Sequence, residues 1–140
     1  MYFSQAGTYT PHALIASVPS GFLVHNLLLL NEFPDIEADK VGDRKTLPIT
    51  LGRRGAAVVY TAFSALVYLW ILGAVIFKVM PLFTLLALLT IPPAIKASRS
   101  AFQSEDMSKL MPGMATNVFV VLSTQLLTAV GYILSGMFKF

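Results

Sequence analysis

The 140-residue chain contains no cysteine, two histidines and only 12% charged residues against 56% hydrophobic ones. Lacking cysteine, it forms no disulfide framework, thiolate zinc site or cysteine nucleophile, and cysteine usage gives no clue to redox compartment. His12 and His25 alone cannot build a histidine-rich metal site. Charge at roughly half the ~25% of soluble domains is too little to cover a water-facing globule. With a mean hydropathy of +0.72, most of the chain has lipid as its solvent. The net charge of +3 is small. The basic residues are not spread over a solvated face with interleaved aromatics, which argues against nucleic acid as a partner.

Four uncharged, mostly apolar runs are present, at 11–30, 56–77, 79–95 and 112–136. A helix of about twenty apolar residues crosses the ~30 Å hydrocarbon layer, so the pattern predicts four membrane spans. The third is short, with Pro81 near one end and Pro92-Pro93 near the other, which predicts little tilt or frayed ends. The connections are then 32–55, Lys78 and 96–111. The first and third share one side and hold eight basic residues: Lys40, Arg44, Lys45, Arg53, Arg54, Lys96, Arg99 and Lys109. Only Lys78 and Lys139 fall on the other. The positive-inside rule therefore places both polar loops in the cytoplasm and both termini outside. The first eleven residues lack the basic n-region of a cleavable signal peptide. No soluble second domain, low-complexity tract or internal repeat is visible, so 1–140 reads as a single transmembrane domain.

The informative polarity lies in one stretch, NEFPDIEADKVGDRKTLPITLG at 31–52, at the cytoplasmic end of the first span. Asp35 and Asp39 are four apart, so on a helix both carboxylates leave one face, with Asn31 a turn earlier. Pro34 predicts either a kink in the membrane helix or a new short helix with Pro34 in its first turn. Two carboxylates so spaced suit Mg2+, which takes one or two protein carboxylates and keeps its other positions for water and substrate phosphates. Lys40, Arg44 and Lys45 can supply charge or bidentate contacts to the same phosphates. An isolated D-x-x-x-D is nonetheless common on solvated helices, and topology alone accounts for the basic residues. Acid, metal and base beside a lipid-embedded bundle fit a substrate with a diphosphate head and a hydrocarbon tail. The matching chemistry is ionisation, with aromatic faces shielding the allylic cation.

From Asn31 to Gly52 the residues resemble the second aspartate-rich motif of the UbiA-type intramembrane aromatic prenyltransferases, most nearly the 1,4-dihydroxy-2-naphthoate polyprenyltransferase branch of menaquinone synthesis. The pattern is Asn, D-x-x-x-D, a basic residue, Gly, basic-Thr-Leu-Pro and Gly. Here these are Asn31, Asp35, Asp39, Lys40, Gly42, Lys45, Thr46, Leu47, Pro48 and Gly52. The stretch ALIASVPSGFLV at 13–24 resembles the small-residue run that leads into the motif.

The resemblance implies an all-α bundle of about four transmembrane helices, corresponding to the C-terminal half of the UbiA-type fold. It also implies transfer of a polyprenyl group from its diphosphate to an aromatic acceptor, with Mg2+ held between two aspartate-rich motifs. Asp35 and Asp39 would take the catalytic, metal-binding role. Asn31, Lys40, Arg44 and Lys45 would bind the diphosphate, with Asp43 a negative charge among them. The first motif is absent from the sequence; Glu105 and Asp106 match no motif. A truncated frame, split gene or fragment is expected, with a separate N-terminal half as partner and no activity alone. The setting would be a bacterial or archaeal cytoplasmic membrane.

Three other readings compete. One keeps the donor and changes the acceptor to 4-hydroxybenzoate, a chlorophyllide, haem or a glyceryl phosphate. Another is a non-catalytic membrane remnant or binding partner. A transporter is weaker, since only His25, Asn26 and Gln125 lie near a midplane site. His25 and Asn26 are expected to hydrogen-bond between helices, and Gln125 likewise. Asn117 and Thr116 are candidates to face the substrate cavity. Tyr60, Tyr68 and Trp70 are expected to pack or anchor rather than to shield a cation.

Overall fold

The computed structural model describes residues 6–138, so Met1 and Lys139 lie outside the described residues. Helix α1 (Pro11–Asn31) opens on Thr10, whose hydroxyl oxygen accepts from the Ala13 N–H at 3.3 Å, with Pro11 where a missing N–H costs nothing. After a turn come the short α2 (Ile36–Val41) and then α3 (Leu47–Ile76). A tight turn with Lys78 at φ +57° leads into a 3-10 helix, Leu82–Thr90, which runs into α4 (Ile91–Phe102). The last helix is α5 (Met107–Phe138). The four long segments 11–31, 47–76, 82–102 and 107–138 are long and apolar enough to cross a membrane, and the described residues contain no strand.

Three boundaries differ from the sequence reading. The third span lies at 82–102 rather than 79–95, because Pro92 and Pro93 sit in the first turn of α4, where proline is compatible with a helix, and so mark its middle and not its end. Lys96 and Arg99 are therefore helical residues, and the connection that was expected over 96–111 is a few residues around Ser104. The second span begins at Leu47, but Gly52 (φ +73°, ψ 165°) breaks it, a backbone state open essentially to glycine alone. The fourth begins at Met107, ahead of Pro112, with the Asp106 carboxylate accepting from the hydroxyl (2.6 Å) and N–H (3.0 Å) of Ser108. Those bonds hold the Asp106 pKa below the usual carboxylate value, so what they add to the helix start is lost only as pH falls through that lowered value.

α1 packs on α3, while α5 packs on the 3-10 helix and α4. The core near the 32–46 connection joins Leu30, Phe33, Ala57, Tyr60, Ala97 and Leu110. A second core, deeper in the bundle, joins Leu23, Val67, Tyr68, Ile71, Ala87 and Val121. The alanines let helix axes approach closely, which matters where lipid supplies no hydrophobic drive between helices. Leu66, Leu69, Leu122, Leu126 and Ile133 point outward, as lipid contact requires.

A polar chain crosses this interior. Asn26 on α1, 2% exposed, donates to the Tyr60 carbonyl (3.0 Å) and Ser64 Oγ (2.8 Å), and the Tyr60 hydroxyl donates to Asn117 Oδ1 at 2.7 Å. Asn117 thus braces α3 against α5, and Thr116 Oγ1 donates to the Pro112 carbonyl of its own helix. His25 stacks on Phe63 with centroids 4.2 Å apart, so its contact across the helices is ring to ring. The Trp70 indole N–H donates to the Ile15 carbonyl at 3.0 Å, which fits an anchoring role. Asn117→Ala would leave the Tyr60 hydroxyl without its acceptor and is expected to cost about 1–2 kcal/mol. Thermal unfolding in detergent checks this. The loss should shrink in a Tyr60→Phe background, and additive losses would refute the pairing.

Candidate functional site

The α1–α2–α3 connection lies at the same end of the bundle as the short link from α4 to α5. Arg53, at the start of the membrane part of α3, joins them by donating from Nη1 to the Ser104 carbonyl at 2.8 Å. Pro34 precedes a new short helix, with Asp35 at its N-cap rather than Pro34 inside its first turn. Asn31 ends α1 and is exposed, so a turn separates it from the aspartates and the three do not form one continuous helical stripe.

Asp35 and Asp39 are one helical turn apart, the Asp39 N–H donating to the Asp35 carbonyl at 2.8 Å. Their settings differ. Asp35 is exposed, whereas Asp39 is 8% exposed and packed into the loop. The Arg44 N–H donates to the Asp39 carbonyl at 2.9 Å, and its guanidinium reaches Asp39 Oδ1 at 3.4 Å. A long contact from a largely exposed guanidinium is worth little, so a phosphate can draw Arg44 away at small cost. Lys40 pairs instead with Glu37 at 3.0 Å, and Lys45 is exposed. Asp43 takes φ +51°, a left-handed state that aspartate tolerates, and this turns the chain so that Arg44 folds back onto Asp39.

The donor set fits a hard cation. The pair offers carboxylate oxygens from successive turns, and no group of three or more His, Cys, Asp or Glu placed to hold a metal occurs among the described residues. Two carboxylates with open positions match the way Mg2+ is shared between protein and substrate phosphates. Glu32 does not join the pair. Its Oε2 accepts from the Leu47 N–H at 3.3 Å, placing an anion at the start of α3 and closing the loop. Neither Glu32 nor Arg53 was singled out from sequence, because contacts spanning 15 and 51 residues carry no periodic signal. A cavity of about 810 Å3 lies at the opposite end, by Thr10, His12, Lys78 and Tyr132, and does not include the aspartates.

A four-span helical bundle with an acid-and-base loop at one membrane surface defines the chain as a polytopic integral membrane protein. The sequence pattern of the UbiA prenyltransferase family matches residues 1–122, and the chain belongs to that family. It is similar to the 1,4-dihydroxy-2-naphthoate octaprenyltransferase of Bacillus subtilis (strain 168), with 31% identity over 122 residues, which covers 84% of this chain and 39% of that relative. The chain thus spans about two fifths of the relative's length. No solved structure matches it.

Proposed function

We propose that this chain supplies the second aspartate-rich half of a prenyltransferase site that moves a polyprenyl group from its diphosphate to an aromatic acceptor, with 1,4-dihydroxy-2-naphthoate as that acceptor. The observation that carries the reading is the Asp39–Arg44 contact beside Asp35, at one membrane face of a UbiA-family chain. Asp35 and Asp39 would hold Mg2+ together with the diphosphate, and the ion would supply Lewis acidity to the leaving group. Arg44 moves from Asp39 to a phosphate oxygen, with Lys45 and Lys40 adding charge and Asn31 bordering the head group. The C–O bond of the allylic diphosphate would break with its electron pair on the departing diphosphate oxygen, and a ring carbon of the acceptor would supply the pair for the new C–C bond. That carbon would then release its proton, or carbon dioxide where it bears the carboxylate, to restore the aromatic ring. We place this loop on the cytoplasmic side of a bacterial or archaeal membrane, the side that positive charge favours. The first aspartate-rich motif, which residues 1–140 do not contain, would have to come from outside them.

The test is to coexpress the chain with an N-terminal segment that carries that motif and to supply 1,4-dihydroxy-2-naphthoate and a polyprenyl diphosphate. Prenylated product is expected only when both parts and Mg2+ are present, to stop with EDTA, and to return with added Mg2+. Product formation that ignores chelation would sink the metal role. Faster transfer to 4-hydroxybenzoate would sink the acceptor assignment.

A further inference from the structure

We propose that the groove between α3 and α4 binds an anionic phospholipid from the leaflet on the aspartate-bearing face, with an acyl chain along the groove and the phosphate at Arg99. The groove has a volume of about 370 Å3 and an almost wholly apolar wall. Ile91, Ile95 and Arg99 follow at i, i+4 and i+8 on α4, so one face of that helix lines it from deep in the bundle to the surface. Tyr68 of α3 closes the deep end. Its hydroxyl donates to the Thr90 carbonyl at 3.1 Å, which leaves the ring as an apolar floor. At the shallow end Phe102 flanks Arg99.

Charge selects the occupant. Arg99 is exposed, and neither it nor Lys96, one turn away, has a carboxylate partner among the described residues. Of the other cations at this end, Arg53 donates to the Ser104 carbonyl, Lys109 pairs with Asp106 at 3.7 Å, and Arg54 does not line the groove. An apolar channel that ends in one cation without a carboxylate partner, Arg99, at a membrane surface matches an acyl chain ending in an anionic head group. An acyl chain passes into the groove from bilayer or micelle hydrocarbon with no net hydrophobic gain, so the preference comes from the head group, where a cation strengthens binding of an anion about fivefold. The assignment does not rest on the prenyl-transfer reading, since Asp35, Asp39, Arg44 and Lys45 do not line the groove.

The full chain, purified in detergent, is incubated with dioleoylphosphatidylglycerol or dioleoylphosphatidylcholine, and retained lipid is counted by native mass spectrometry. The anionic lipid should be retained about fivefold better. Arg99→Gln, at an exposed position that the fold does not need, should remove that preference while keeping phosphatidylcholine retention. Ile95→Trp, which fills the groove, should reduce retention of both, and Lys109→Gln should leave the preference unchanged. Equal retention of the two lipids by the native chain, or an undiminished preference in Arg99→Gln, overturns the proposal. Displacement of phosphatidylglycerol by farnesyl diphosphate in the native chain but not in Asp39→Asn would give the groove to the prenyl substrate instead. Displacement by a coexpressed N-terminal segment would give it to a protein contact.

Discussion

Asp39→Asn in the completed enzyme is expected to lower prenyl transfer on the order of a thousandfold, the scale seen when one preorganised electrostatic contact to the reacting charge is removed. The substitution keeps volume and shape, and Asp39 is 8% exposed, so a neutral amide there costs the fold little. What would disappear is the anion proposed to share the metal, which also contacts Arg44 at 3.4 Å. Initial rates at saturating acceptor, measured across a Mg2+ series, check this. Asp35→Asn should behave alike, with expression and melting unchanged in both. Arg44→Gln should act differently, raising KM for the diphosphate more than it lowers kcat, because it removes a phosphate contact and leaves both carboxylates. A drop of less than about tenfold in Asp39→Asn would leave the carboxylate outside the chemistry.

Gly131→Ala is expected to give one of the two largest losses of stability among single-methyl additions. A Cβ there would stand 2.6 Å from both the Phe83 carbonyl oxygen and the Thr84 nitrogen. Both are backbone atoms of the 3-10 helix and cannot rotate aside, so α5 and that helix must part. Overpacking of this kind costs about 1–3 kcal/mol, and Gly131→Val should cost more. Gly113 makes a comparably close approach to Ser100 on α4, and because the nearest atom is the Ser100 Cβ, which a rotamer change cannot move, Gly113→Ala should cost a similar amount. Gly21→Ala and Gly73→Ala are the controls, since nothing lies within 4 Å of either added Cβ. In mid-helix they should be neutral or stabilising by up to about 1 kcal/mol. Unfolding in SDS or thermal melting in detergent would show it, and a Gly131→Ala variant that melts with the native chain would refute the close contact.

Much of this architecture was legible because hydrophobic length is a one-dimensional signal. The uncharged runs located four spans, and the charges between them located the polar surface. Boundaries were read less well where proline was involved. Pro92-Pro93 looks like a stop in sequence, yet proline at the first turn of a helix is a start, and the preceding residues reach it as a 3-10 helix. For the loop, spacing put Asp35 and Asp39 on adjacent turns of one short helix, as the structure has them. It did not reveal that Lys40 turns to Glu37 while Arg44 folds back onto Asp39, because the turn at Asp43 decides that. Nor did it reveal the Glu32–Leu47 and Arg53–Ser104 closures, which depend on tertiary approach between segments distant in sequence.

The 3-10 stretch Leu82–Thr90 also changes how far its segment reaches. A 3-10 helix rises about 2.0 Å per residue against about 1.5 Å for an α-helix. The 21 residues from Leu82 to Phe102 therefore extend about 36 Å, where a uniform α-helix would extend about 31 Å. That overwound first half lengthens the segment, setting the cationic end of α4 about 5 Å farther from Leu82 than a uniform α-helix would. A sequence change that relaxed it to α geometry would draw Arg99 and Lys96 inward by several ångströms, with the bilayer having to thin or the segment to lose its tilt in compensation.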